Sequence, residues 1–358
     1  MLTRTESYSE IFSQETAWQE AVRTTLQQRG EIEDFLRSIN PGQVIFAGCT
    51  SPYYAGSAAA AYWKTETGLV VESVPSSELV LFPELYYPKQ SANPMMVVLS
   101  RSGKTTETIW AVEEFEKRFP GRVMLIGCNP SGPLAEMASL KIFLTDSAEN
   151  TIAQTRSLSA MYLSALLMAT LYSGNTAAMD ILKNSPGIVN GILQKSEPVI
   201  QALFNDRPFN NLFILGSGPL YGIAREAGLK CMEMSTTDTF SYQFLESRHG
   251  PRVLIDENTL VVGLYSQAGL NYEAQVMEEL TLNHQATTLA ITPTERWNTG
   301  EVTAAISVDA GWPDGLIGLP YLPVTQIIAY YAASSKGLNP DVARFHSPYV
   351  VINRYSSE

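Results

Sequence analysis

An α/β fold, doubly wound around parallel sheets and present twice in tandem, is the class that this 358-residue chain predicts. Short apolar runs alternate with helical stretches in the first half, and the second half repeats the alternation in the same order. Each copy also places a Gly- and Ser-rich turn directly after an apolar run. In open α/β sheets, ligands bind at the carboxyl ends of strands, so those turns are where a site is expected.

Residues 14 to 38 open the pattern. Trp18, Ala21, Val22 and Leu26, then Ile32, Phe35 and Leu36, recur at helical spacing and predict amphipathic helices packed on the main fold. Val44 to Ala47 reads as a strand, followed by the turn GCTSP, an alanine-rich helix reaching Trp63 and a strand from Leu69 to Val74. Met95 to Leu99 is the next strand. It leads into the hydroxyl-rich turn Ser100 to Thr105, a helix from Thr105 to Phe119 and a strand from Val123 to Ile126. A helical stretch from Ser157 to Tyr172 and a polar region reaching Asp206 close the first domain and link it to the second.

The repeat is visible in three places. FAGCTSPYYAG at Phe46 to Gly56 aligns with ILGSGPLYGIA at Ile214 to Ala224, pairing Gly48 with Gly216 and Tyr53 with Tyr221. VVLSRSG from Val97 is echoed by VGLYSQAG from Val262, and VMLIG from Val123 by TTLAI from Thr287. Three matches in one order predict duplicated domains. The expected organisation is N-terminal helices over 1–40, a first domain over 41–175 that holds phosphate, and linker helices over 176–205. A second domain over 206–330 would supply acid–base chemistry, and a C-terminal tail over 331–358 would complete the site.

Composition narrows the function. A net charge of -12, with Lys and Arg scattered, argues against a nucleic-acid or anionic-membrane partner and for a small ligand met by local positive charge. Cys49, Cys128 and Cys231 form no C-x-x-C and fall in expected strands or helices, which predicts buried thiols without disulfides. The opening MLTRTESYSE lacks the apolar core of a signal peptide, and Met161 to Tyr172 is too short to span a bilayer, so the expected location is cytoplasmic. The histidines at 249, 284 and 346 lack metal-ligand spacing. GSGPLYG at Gly216 to Gly222 lacks the third-glycine spacing of a dinucleotide turn, so neither metal nor cofactor is expected.

Two constellations carry chemistry. The turn Ser100 to Thr105 gathers hydroxyls and backbone N–H groups at a helix N-terminus, where the dipole favours an anion. Without the glycine spacing of a nucleotide P-loop, it suits a small sugar phosphate better than ATP. The helix EAGLKCMEMS places Glu226, Lys230 and Glu233 at i, i+4 and i+7 on one face, and ESRHGP follows with His249. Alone, the helix pattern reads as a solvated salt-bridge face and the histidine as an ordinary loop residue.

Together with AGCTSPYYAG (Ala47 to Gly56), SRSGKTTET (Ser100 to Thr108), ENTIAQTRSLS (Glu149 to Ser159), LKCMEMS (Leu229 to Ser235) and RHGP (Arg248 to Pro251), the chain resembles the sugar isomerase (SIS) domain proteins. It is most similar to the two-domain group that includes the isomerase half of glutamine–fructose-6-phosphate amidotransferase. The resemblance implies two tandem SIS domains. It also implies phosphate held by Ser100, Ser102 and Thr105 with Arg101, Thr50 and Ser51 nearby, and a sugar bordered by Ile152 and Gln154. Glu233 would move a proton between C1 and C2, His249 would open the ring, and Lys230 would hold the carboxylate or a substrate hydroxyl. The histidine would come from a neighbouring subunit, implying a homodimer with shared sites.

Elementary chemistry agrees. A C1/C2 proton shuttle needs a carboxylate shielded from water, and ring opening suits an imidazole. Two departures limit the resemblance: Pro348 stands near the place of the group's tail lysine, with His346 and Arg344 as neighbours that could reach the site instead, and the sequence contains no glutaminase domain. The readings left are a 6-phosphosugar isomerase or aminosugar-phosphate deaminase, a deglycase of amino-acid-bearing sugar 6-phosphates, or a non-catalytic sugar-phosphate sensor.

Overall fold

The structure is a computed structural model that describes residues 5–87, 93–205, 208–342 and 352–353. Three helices open it: α1 (Glu6–Ile11), α2 (Gln14–Gln27) and α3 (Arg29–Ile39). Periodicity anticipates the last two; α1 is too short to show a period. Ile11, Trp18, Ala21, Ile32 and Leu36 are buried, because the apolar stripe of a surface helix is driven out of water.

The first sheet contains β1 (Gln43–Gly48), β2 (Val70–Pro75), β3 (Pro94–Ser100), β4 (Val123–Gly127) and β5 (Leu140–Phe143). The connections carry α4 (Ser51–Thr67), α5 (Ser76–Leu81), α6 (Pro83–Tyr86), α7 (Thr106–Arg118) and α8 (Pro133–Met137). Strand order is β2-β1-β3-β4-β5, all parallel. Helices cover both faces of such a sheet, so its central strands are apolar throughout: every residue of β1, β3 and β4 is buried, while the edge strands β2 and β5 are buried only in part.

Three helices, α9 (Arg156–Ser173), α10 (Thr176–Asn184) and α11 (Pro186–Leu203), lead to the second sheet. That sheet holds β6 (Asn211–Gly216), β7 (Asp238–Tyr242), β8 (Thr259–Leu264), β9 (Thr287–Thr292) and β10 (Ala304–Ser307). Its helices are α12 (Leu220–Ser235), α13 (Leu270–His284) and α14 (Asp314–Ser335). Its order, β7-β6-β8-β9-β10, repeats the first, and the strand pairs matched in sequence occupy equivalent positions.

The two domains are held by helices buried nearly all round. α14 is long and apolar enough to cross a membrane by composition, yet 94% of that stretch lies inside the protein, so it is a core helix. It runs through position 330, where the sequence suggested a domain edge. α12 packs on α14 and on α4, which carries the second domain's charged helix into contact with the first. The crossing is close: a Cβ on Gly222 would lie 2.6 Å from the Ala58 nitrogen and 2.7 Å from the Tyr54 carbonyl oxygen.

Candidate functional site

A cavity of about 300 Å³ opens where the carboxyl ends of β1 and β3 face the last turns of α12. Thr50, Ser51, Ser100, Arg101, Ser102, Thr105, Ile152, Gln154, Lys230 and Glu233 all line it. Residues far apart in sequence converge here because parallel strands end at one side of the sheet.

The turn after β1 is tight. A Cβ on Gly48 would sit 2.7 Å from the Pro52 Cβ, and its counterpart Gly216 would meet the Leu220 carbonyl oxygen at 2.7 Å, which explains the glycine at the same place in both copies. Two residues on, Thr50 adopts φ 52°, a left-handed conformation that costs a β-branched residue roughly 1–3 kcal/mol. Strain at a cavity wall is the pattern of a functional constraint.

In the loop after β3, the Ser100 and Ser102 hydroxyl oxygens accept the Gly103 and Lys104 N–H groups, each at 3.2 Å. These amides are therefore not the free donors that the sequence suggested. A hydroxyl that accepts still has its own proton to give, so Ser100 and Ser102 present O–H groups. Thr105 caps α7 without a side-chain capping bond, leaving a third hydroxyl at the helix N-terminus. Gly103-Lys104-Thr105 does reproduce the ending of a nucleotide P-loop, but Val98, inside β3, stands where its first glycine would be.

Arg101 acts as a strut. Its guanidinium donates to the Thr151 and Ile152 carbonyls at 2.9 and 3.0 Å and lies 3.7 Å from the fully buried Glu149. Glu149 also accepts the Thr155 N–H at 2.7 Å and the hydroxyls of Thr155 and Ser157. This fixes the segment that brings Ile152 and Gln154 to the cavity. The Gln154 Oε1 is buried without a partner among the described residues, leaving an acceptor for a ligand hydroxyl.

On α12 the charges are not a solvated face. Lys230 is 1% exposed and Glu226 is fully buried; the ammonium lies 3.4 Å from Glu226, 2.5 Å from Glu233 and 3.0 Å from the Ser51 hydroxyl. Burial pushes the Lys230 ammonium down, but the two carboxylates outweigh it and the net shift is upward. Burial pushes the Glu226 carboxyl up to about 7, against the pull of Lys230. Glu233, expected to be shielded, keeps 37% of its side chain exposed, because it lies at the cavity end of the helix.

His249 is not in the cavity of its own chain. It follows a 3-10 turn, donates its N–H to the Glu246 carbonyl at 3.0 Å, and is exposed beside Leu245, Val253 and Leu254, which are 47%, 81% and 51% exposed. Arg344, His346 and Pro348 lie outside the described residues; the Ile352 N–H reaches the Thr106 hydroxyl at 3.4 Å, so the chain returns to α7 near the phosphate loop.

Sequence reasoning passed over five lining residues, Cys49, Pro52, Leu99, Glu107 and Thr108, of which two carry ionisable groups. Cys49, expected to be buried, is half-buried and lines the wall. Glu107, in the first turn of α7, lines it too, with a buried Oε2 lacking a partner among the described residues. Both sit inside or beside motifs already singled out, which was the available signal.

Residues 39–171 match the SIS domain model. The D-galactosamine-6-phosphate deaminase of Shewanella sp. strain ANA-3 is 29% identical over 313 residues, covering 84% of this chain and 77% of that protein. The isomerizing glutamine–fructose-6-phosphate aminotransferase of Thermotoga maritima is 24% identical over 85% of this chain, which spans 51% of its length. The crystal structure of tagatose-6-phosphate ketose/aldose isomerase from Escherichia coli superimposes with a TM-score of 0.85 at 24% identity, covering 99% of this chain and 97% of the other, and shows the shared fold. Residues 39–171 thus carry an SIS domain, and the chain as a whole, with its duplicated sheet and hydroxyl-lined cavity, is similar to phosphosugar isomerases and deaminases that share this fold.

Proposed function

We propose that the protein acts at C1 and C2 of a 6-phosphosugar, as an aminosugar-phosphate deaminase of the glucosamine 6-phosphate to fructose 6-phosphate type. The observation that carries this is the position of Lys230, which joins Ser51 of the first domain to Glu226 and Glu233 at the cavity that also holds three hydroxyls for a phosphate. The hydroxyls of Ser100, Ser102 and Thr105 donate to the phosphate, and the α7 N-terminus favours its charge. Ile152 and Gln154 border the sugar.

The open-chain aminosugar has a C1 aldehyde and a C2 amine. Glu233 takes the C2 proton, giving an enolamine, and returns a proton to C1, leaving an imine at C2. Water adds to that imine and ammonia leaves, so glucosamine 6-phosphate plus water becomes fructose 6-phosphate plus ammonia. Lys230 orients Glu233 and offsets charge that develops on the C1 oxygen.

Ring opening is assigned to His249 of the partner subunit in a homodimer. Its exposure, away from the cavity of its own chain, supports that reading. Incubation of the purified protein with glucosamine 6-phosphate, beside galactosamine 6-phosphate and fructosamine-type 6-phosphates, tests the proposal by release of ammonia and ketose phosphate. Release of an amino acid from the last compounds alone would make it a deglycase. Tight binding of all with turnover of none would make it a sensor.

A further inference from the structure

Glu10 belongs to α1, ahead of both sheets, yet is only 3% exposed. Its Oε1 accepts the Asn150 N–H at 2.8 Å and the Thr151 N–H at 3.4 Å, and its Oε2 takes the Thr151 hydroxyl. Glu6, on the same helix, accepts from the Asn150 side-chain amide at 2.6 Å. From the opposite side, Arg101 of the phosphate loop grips the Thr151 and Ile152 carbonyls. The peptide groups of this segment are thus clamped between α1 and the phosphate loop, and what the segment presents to the cavity is Ile152 and Gln154.

The helix that carries the clamp is itself held. Asp341, beyond α14, accepts the Glu6 N–H at 2.7 Å, the Ser7 N–H at 2.8 Å and the Ser7 hydroxyl at 2.6 Å. A six-residue helix has little stability of its own, so α1 stays formed through such tertiary contacts. Burying a carboxylate is costly unless donors surround it, and all three donors to Glu10 come from one loop. A carboxylate that served only the α1 dipole would gain as much in solvent at the helix start.

We infer that Glu10 is a positioning residue of the substrate cavity, fixing residues 150–154 against Arg101 so that Ile152 and Gln154 meet the sugar. The N-terminal helix is then a working part of the site rather than an appendage. The inference rests on the reading of the cavity as a phosphosugar site, and its test separates the two.

The test measures amide hydrogen exchange over 149–155 and fructose 6-phosphate binding in the full chain, in Glu10→Gln and in Thr151→Val. Glutamine turns an acceptor oxygen into an N–H₂ group facing donors. The expected result is exchange faster by about tenfold or more in 149–155 with β1, β3 and β6 unaffected, and fructose 6-phosphate binding weaker by about tenfold, the scale of one lost hydrogen bond to a charged group. At saturation, kcat on whichever phosphosugar is turned over should change by less than about threefold, a split between KM and kcat that global destabilisation would not produce. Thr151→Val, which removes one of the three bonds, should show the same pattern at smaller amplitude and decides the matter if Glu10→Gln does not fold. Unchanged loop exchange, or faster exchange with unchanged affinity, overturns the role of Glu10. Loop exchange that responds in a protein that binds no fructose 6-phosphate supports the clamp and removes the phosphosugar reading instead.

Discussion

Lys230 sets the electrostatics of the cavity. A buried ammonium is costly, and two carboxylates with one hydroxyl offset the cost only because they sit within 3.4 Å of it. Of the two carboxylates only Glu233 lines the cavity, which makes it the base in the proposed reaction. Glu233→Gln should keep the fold and sugar-phosphate binding and lose about 10²-fold or more in turnover, read most directly as exchange of the C2 proton with deuterated solvent. Wild-type exchange in that variant would remove Glu233 as the base. Glu226 behaves differently. Its carboxyl is pushed from 4.5 up to about 7 by burial, so the folded chain holds the proton more tightly than the unfolded one. Its contribution to stability is therefore present at low pH and is lost as pH rises from about 4.5 toward 7. Glu226→Gln removes this titration, so denaturant unfolding should show wild type losing stability relative to the variant between about pH 5 and 7. A difference that stays constant across that range would contradict the assignment.

At the level of elements, the two copies of the strand-turn-helix unit differ in who supplies the anion. In the second copy the Glu273 carboxylate takes the Ser266 N–H at 2.7 Å and the Ser266 hydroxyl at 2.8 Å, and Asp314 takes the Gln267 and Ala268 N–H groups at 2.6 and 3.0 Å. In the second copy the chain's own carboxylates thus take these donors, whereas the proposed reading gives the first copy's loop hydroxyls to a ligand phosphate. Asp314→Ala should lower stability by about 1–2 kcal/mol, as for a lost cap, and leave phosphosugar affinity untouched. Urea unfolding and a binding titration on the same sample check both halves. The matched glycines and the alternation of strands made the duplication legible. The carboxylates were not, because Asp314 is brought to the turn by the packing of a helix 47 residues further on, and no local pattern encodes that distance.

For the molecule as a whole, the site exists only while α12 and α4 stay in register, since Lys230 and Ser51 come from different domains. Gly222 is a point of close approach in that crossing. Gly222→Ala forces the helices apart at a cost of about 1–3 kcal/mol and should reduce turnover more than Ala substitution at the open Gly191, as measured by melting and by activity below the transition. Assembly enters through His249. Co-expressed mixed dimers of Glu233→Gln and His249→Ala, each inactive alone, should regain one of two sites if the histidine crosses between subunits. No activity above either parent, or a monomer in solution, would end the shared-site reading.

The sequence alone determined the α/β alternation and the duplication, and its resemblance to the SIS proteins pointed to ten residues that line the cavity and to His249, which does not. Helical and strand periods, turn chemistry and motif spacing are properties of neighbouring residues, so they survive in a linear reading. Only the tertiary structure decided that the charges on α12 are buried, that Glu233 is partly open, that Arg101 is a strut, and that a carboxylate from the first helix reaches the cavity wall. Burial and partnership are set by segments from 50 to 179 residues apart that close packing brings within hydrogen-bond reach, and nothing in the local sequence of either segment names the other.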